Sequence, residues 1–262
     1  MDLSHGSSFY AAAKVRSVAI EDTLRADAVV IAAGRAGKAG QSRLELLRDN
    51  AALIRELAPR FAGYRGIVVL VTNPVDVLTH VFQRASGLPP ERVVGTGTLL
   101  DTARLRQILG RELGLDARSV HAQVVGEHGD SEVVLWSSAT VGGIALRDWP
   151  GWQGSREAAL AEEVRTAAYE IIKRKGATNH AIGLVTAALL RWMLRGESRV
   201  ITVSRVQPAS SGLGDVALSL PCIVGAGGAV TVLAPAMDAD EQARLRRSAE
   251  ILRKAIVEVG AI

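Results

Sequence analysis

Short aliphatic runs alternate with amphipathic stretches through the first half of the chain. Residues 15–20 and 28–33 read as strands, and residues 43–60 read as a helix whose leucines recur at helical spacing. Residues 67–72 form a near-continuous β-branched and leucine run, the pattern of a strand covered on both faces. Asn73-Pro74 ends that run before another helical stretch, and residues 93–96 and 99–113 supply a third strand and helix. Alternation of this kind predicts a parallel sheet with helical crossovers.

After Gly126 the pattern changes. Residues 132–135 and 139–146 read as short antiparallel strands, a long helical stretch runs from 155 to 195 with Gly176 inside it, and further strands follow between 200 and 232. Residues 240–259 carry alternating charge and are expected to form a closing helix on the surface. This reading divides the chain into a first unit, residues 1–97, and a second α+β lobe, residues 98–262.

Composition narrows the class. With 262 residues, 48% of them hydrophobic but only 4% aromatic, the chain suits an aliphatic-cored globular protein. No window approaches a membrane span, and MDLSHGSSFY lacks the basic and apolar regions of a signal peptide, so a cytoplasmic protein without a membrane partner is expected. The single cysteine, Cys222, excludes an internal disulfide and a cysteine-only metal site; no metal is expected. The formal charge is +4, but lysine and arginine are interleaved with acids, which argues against a nucleic-acid surface.

Three glycine-rich segments invite comparison with phosphate loops, and each departs from the required pattern. The segment from Gly34 to Ala39 has a glycine-lysine pair, but Ala32 and Ala39 replace the glycine and hydroxyl of a P-loop. Gly95-Thr96-Gly97 follows a strand but has Leu100 where a small residue belongs, and Gly212-Leu213-Gly214 enters a strand-like run instead of a helix. The strongest chemical segment is Gly126-Glu127-His128-Gly129-Asp130-Ser131, in which a glycine-flanked histidine at a strand end is either an ordinary solvated side chain or a proton carrier facing a cleft. Asp101 and Arg104 share a helix face: they form a structural ion pair, or they diverge, Asp101 to an imidazole and Arg104 to a substrate carboxylate. Arg43, after the AGKAGQS loop, is either a helix-start charge or a loop-borne functional group.

Taken together, AGRAGKAGQSRLELLRDN, VTNPVDVLTH, RVVGTGTLLDTARLR, VVGEHGDSEVVLWS, KGATNHAIG and DVALSLPCIVG stand in the order and at about the spacing of the L-2-hydroxy-acid dehydrogenases. The chain resembles the lactate/malate dehydrogenase family, and Glu127 before the histidine resembles its lactate branch. The resemblance implies an NAD-dependent reversible hydride transfer with pyruvate or a related 2-oxo acid, in a homo-oligomer of two or four subunits. A malate or broad 2-hydroxy-acid dehydrogenase, or a non-catalytic remnant, are the alternatives.

By the same resemblance His128 is the acid–base centre, Asp101 charges and orients it, Arg104 clamps the substrate carboxylate with Thr178 in the same pocket, and Arg43 polarises the carbonyl. Asn73 lies near the nicotinamide ribose or the reacting oxygen, and Gly34, Arg35 and Thr96 lie along the cofactor. Arg106 and His121 match a fructose 1,6-bisphosphate site of allosteric members, or are a solvated basic pair.

Two departures stand out. Gly37 replaces the glutamine of lactate enzymes and the arginine of malate enzymes, which implies a roomier site or one that Arg35 enters to favour a dicarboxylate. The family also places a strand, a GxGxxG turn, a helix and a second strand before the segment seen here as Asp2-Leu3-Ser4-His5-Gly6. The expected fold is therefore a doubly wound Rossmann-type parallel sheet without its first two strands, joined to an α+β catalytic domain. The chain reads as a late-assigned start, a fragment or a truncated copy, with poor NADH binding and a 28–33 strand left with unpaired backbone groups and an uncovered apolar face.

Overall fold

A β-branched run apolar on both faces has to be covered on both faces, and Ile67–Leu70 (β2) is buried at all four positions. In the computed structural model, which describes His5, residues 13–35 and residues 42–260, apart from the side chains of Arg43 and Ala209, this strand lies inside a six-stranded sheet. Its parallel neighbours are Ala28–Ile31 (β1) and Val93–Gly95 (β3), with Val68 opposite Val29 on one side and Val93 on the other. The sheet continues through Arg199–Val206 (β9), Ala217–Gly225 (β10) and Gly228–Val232 (β11), all antiparallel to their neighbours, in the order β1-β2-β3-β9-β10-β11. One sheet thus spans the expected division at 97/98, because β9 pairs with β3 at Ser204 and Gly95.

The crossovers are helical as the pattern requires. Arg43–Leu57 (α2, following the short Ile20–Thr23, α1) starts at a capping box in which Ser42 and Glu45 satisfy one another's backbone N–H groups. Pro59 forces the stretch beyond Leu57 into a 3-10 turn, Ala58–Phe61. Val75–Ser86 (α3) and Leu99–Leu113 (α4) follow β2 and β3, and both end at left-handed glycines, Gly87 and Gly114.

Smaller pairings lie outside the main sheet: Val120–His121 (β4) with Thr140–Val141 (β7) and Ile144–Ala145 (β8), and Val124–Val125 (β5) with Val133–Val134 (β6). Two apolar clusters sit on the sheet, one including Phe61, Phe82 and Leu218, the other Met193, Val203 and Cys222; a third, including Leu105 and Trp136, packs under the small strands.

Three expectations are corrected. Residues 15–20 are not a strand: they run without regular structure into α1, and Val15, Val18 and Ile20 are exposed. Among the described residues nothing pairs with the outer edge of β1, and residues 15–20 enter no ladder. The helical stretch from 155 to 195 is two helices, Glu157–Lys175 (α5) and His180–Arg195 (α6), because Gly176 adopts a left-handed conformation and caps the first. The closing helix, Ala239–Glu258 (α7), is amphipathic and not simply superficial: Leu245, Ala249, Leu252 and Ile256 recur at helical spacing and are buried in the first cluster.

Candidate active site

The carboxyl ends of β1 and β2 are held close together by side chains. Thr72 donates its hydroxyl to Ala33 O at 2.8 Å, and Asn50, buried on α2, accepts from Arg35 N at 2.7 Å while its amide reaches Asn73 O at 3.4 Å. Gly34 is needed at this approach, since a Cβ there would come within 2.4 Å of Thr72 Cγ2. Thr96 is buried just beyond β3, where its N–H bonds Leu70 O at 3.0 Å.

The histidine loop is braced from three sides. Gly126 exchanges backbone hydrogen bonds with Ser219 of β10, and Glu127 N donates to Ser248 Oγ of α7 at 2.9 Å. Ser131 donates its hydroxyl to the Glu127 carboxylate, which folds the loop on itself. From α3, Asp76 Oδ2 accepts the His128 backbone N–H at 2.7 Å. The imidazole then meets α4: His128 Nδ1 and Asp101 Oδ2 are 2.5 Å apart, and Arg104 Nη1 donates to Asp101 Oδ1 at 2.7 Å.

A cleft of about 390 Å³ opens here, with His128, Asp101, Arg104 and Glu132 on a charged side and Leu46, Pro74, Ala168 and Ile172 on an apolar one. Burial works against charge on His128, but Asp101's charge and hydrogen bond, reinforced by Asp76 and Glu132, outweigh it and push the imidazole up to about 9. Burial raises the Asp76 carboxyl to about 6 against the opposing pull of Ser204, the His128 amide and the imidazolium. Glu132 is raised to about 8, first by burial and then by Asp101's charge, although His128, Arg165 and Arg104 favour its ionised form. A proton carrier that is charged at neutrality thus shares a partly dry cleft with a planar, permanently cationic donor.

The structure brings together His128, Asp101, Arg104 and Asn73, which also lines the cleft. Arg104 does not diverge from Asp101 but pairs with it, a contact that occupies one of the guanidinium's five donors. Arg35 turns its guanidinium towards Asp49, 3.6 Å away, on the surface. Thr178 lies exposed in the segment between α5 and α6 and is not among the residues lining the cleft. Arg106 donates Nε to Ala122 O at 3.0 Å, and burial lowers its pKa; His121 is exposed on β4. Arg43 opens α2, but its side chain, like Gly37, lies outside the described residues.

Sequence reasoning missed Asp76, Glu132 and Arg165. A signal existed for the first: an acid in the apolar run VTNPVDVLTHV has to be buried with a partner. Glu132 precedes VVLW and carries a similar, weaker hint, whereas nothing local distinguishes Arg165 from the other charges of α5.

The strand-end set of Gly34, Asn73 and Thr96 fits the nicotinamide half of a dinucleotide, because close backbone approach at the carboxyl ends of parallel strands is where such ligands lie. Gly212-Leu213-Gly214 leads into β10, and among the described residues no GxGxxG turn leads into a helix for the pyrophosphate. Among the described residues no cluster suited to a metal ion is present, and no helix is long and apolar enough to cross a membrane.

These features define an α/β protein with a histidine–carboxylate–arginine centre at the carboxyl ends of its parallel strands. The model of the lactate/malate dehydrogenase NAD-binding domain matches residues 1–95, and that of the family's alpha/beta C-terminal domain matches residues 98–262. The chain belongs to the lactate/malate dehydrogenase family. It is 46% identical to an L-lactate dehydrogenase of Thermus aquaticus over 99% of this chain and 86% of that relative, and 43% identical to one of Salinibacter ruber over 97% and 82%. The crystal structure of a minor L-lactate dehydrogenase from Enterococcus mundtii superposes with a TM-score of 0.93 at 36% identity, covering 98% of this chain and 84% of that one.

Proposed function

We propose that this protein is an NAD-dependent L-lactate dehydrogenase that interconverts pyruvate, or a closely related 2-oxo acid, and the L-2-hydroxy acid. The observation that carries the reading is the His128–Asp101–Arg104 arrangement on one cleft, in a chain whose relatives are L-lactate dehydrogenases. When bound, NADH supplies the hydride. His128, with Nδ1 committed to Asp101, donates the proton on Nε2 to the carbonyl oxygen of the 2-oxo acid, and its neutral form accepts a proton in the reverse direction. Asp101 stabilises the imidazolium, and Arg104 turns its remaining donors to the substrate carboxylate.

Arg43, at the start of α2, is assigned to stabilise charge on the carbonyl oxygen; Asn73, with Gly34, Arg35 and Thr96, is assigned to the cofactor, and Thr178, which is exposed next to α6, to the substrate. Arg106 and His121 are a candidate anion site for an allosteric sugar bisphosphate. The exposed apolar side chains of Leu184 and Leu194 on α6 support assembly into a homo-oligomer, and the protein works in the cytoplasm. Loss of NADH absorbance with pyruvate, set beside oxaloacetate and 2-oxoisocaproate, tests the function. Pyruvate is expected to give the highest kcat/KM; a preference for oxaloacetate, or no dependence on any 2-oxo acid, sinks the reading.

A further inference from the structure

Asp76 is fully buried at the start of α3, yet only one of its oxygens has a partner: Oδ2 takes the His128 N–H at 2.7 Å, while Oδ1 has none. An incompletely satisfied carboxylate in an apolar setting is costly, so its presence calls for a compensating role. Its surroundings point to one. The groups facing it are the His128 imidazole and the Glu127 carboxylate from the histidine loop, and the buried hydroxyl of Ser204 of β9, which favours the ionised carboxylate although it makes no formed hydrogen bond. His128 in turn faces Asp101 and Arg104 on α4, Glu132 beyond the loop, and Arg165 on α5 across the cleft. Asp76 therefore adds its negative charge to that of Asp101 at the imidazole, and it also holds the backbone N–H of the same residue.

We propose that Asp76 is a positioning residue that anchors the histidine loop through its main chain and supplies a second buried negative charge holding the proton on His128. The inference deepens the acid–base role assigned to His128 and rests on that role, but it is a statement about two coupled titrations and can be read without turnover. Coupling between two sites is reciprocal: if Asp76 raises the proton affinity of His128, the imidazolium must lower that of Asp76 by the same factor.

The test is nuclear magnetic resonance titration of the full chain with isotope-labelled histidine and aspartate, His128 being assigned by the signal lost in His128→Asn. In Asp76→Asn, which keeps an acceptor for the His128 N–H and removes only the charge, the proton affinity of His128 is expected to fall at least about threefold. In His128→Asn, where the Asp76 carboxyl itself is intact, the Asp76 signal is expected to titrate at higher pH by a matching factor. The second arm decides the matter alone should Asp76→Asn fail to fold. An Asp76 signal unmoved by loss of the imidazole, or a His128 midpoint unchanged in folded Asp76→Asn, overturns the proposal. Activity assays are independent: a chain that shows the coupling but reduces no 2-oxo acid refutes the lactate dehydrogenase reading and leaves this one standing.

Discussion

Arg104 and His128 are held by the two oxygens of one carboxylate: Asp101 Oδ1 takes Arg104 Nη1 at 2.7 Å, and Oδ2 lies 2.5 Å from His128 Nδ1. The proposed substrate clamp and proton carrier are thereby fixed relative to each other by a single buried group, so a change at either is felt by the other. Removing the imidazole removes the proposed general acid. His128→Asn is expected to lower 2-oxo acid reduction at least about a hundredfold, checked by steady-state assay, with the melting transition retained. Near-normal turnover in this variant disposes of the assignment.

Replacing the planar fork gives a different signature. Arg104→Lys is expected to raise KM for pyruvate far more than it weakens NADH binding, because an ammonium cannot hold Asp101 and a substrate carboxylate in two parallel directions. Equal losses in the two measurements assign Arg104 a purely structural part.

The raised proton affinity of His128 sets the pH profile. Reduction of the 2-oxo acid uses the protonated ring, so kcat/KM is expected to hold across neutrality and to fall as pH passes about 9; oxidation of the hydroxy acid, which uses the neutral ring, rises over the same range. A reduction profile that falls off near the ordinary histidine value means that Asp101 and its neighbours do not hold the proton as the geometry indicates.

Glu132 links the site to stability. Its folded proton affinity exceeds its ordinary one, so the stability it contributes is complete below pH 4.5 and is lost as pH rises through about 8. Glu132→Gln cannot ionise and should flatten that part of the dependence. Thermal melts at acid and alkaline pH are expected to show a smaller fall in Tm for the variant than for the unaltered chain, and parallel falls contradict the buried carboxyl's role.

Breadth of substrate use is expected to follow Gly37. Gly37→Gln introduces the glutamine that the resemblance to lactate enzymes implies at this position and should raise the kcat/KM ratio of pyruvate to 2-oxoisocaproate. An unchanged ratio places the determinant elsewhere in the cleft, for instance at Ala168 or Ile172.

Periodicity in the sequence determined the elements whose cause is local. The runs that became β1, β2 and β3, the leucine spacing of α2 and the bounds of α4 all follow from which side chains face a core, whereas GEHGDS on its own left His128 either a solvated side chain or a proton carrier. What only the tertiary structure decided are relationships between distant segments. Residues 15–20 carry a strand's pattern and form none, since a strand exists through its neighbour's hydrogen bonds and this segment does not pair with the open edge of β1. That β9, β10 and β11 extend the first half's sheet depends on the pairing of Ser204 with Gly95, more than a hundred residues apart. Asp76 shows the same limit at the site: its side chain is polar in any reading, but its nearness to the His128 amide exists only once α3 and the loop after β5 pack together, because burial and charge act through space and not along the chain.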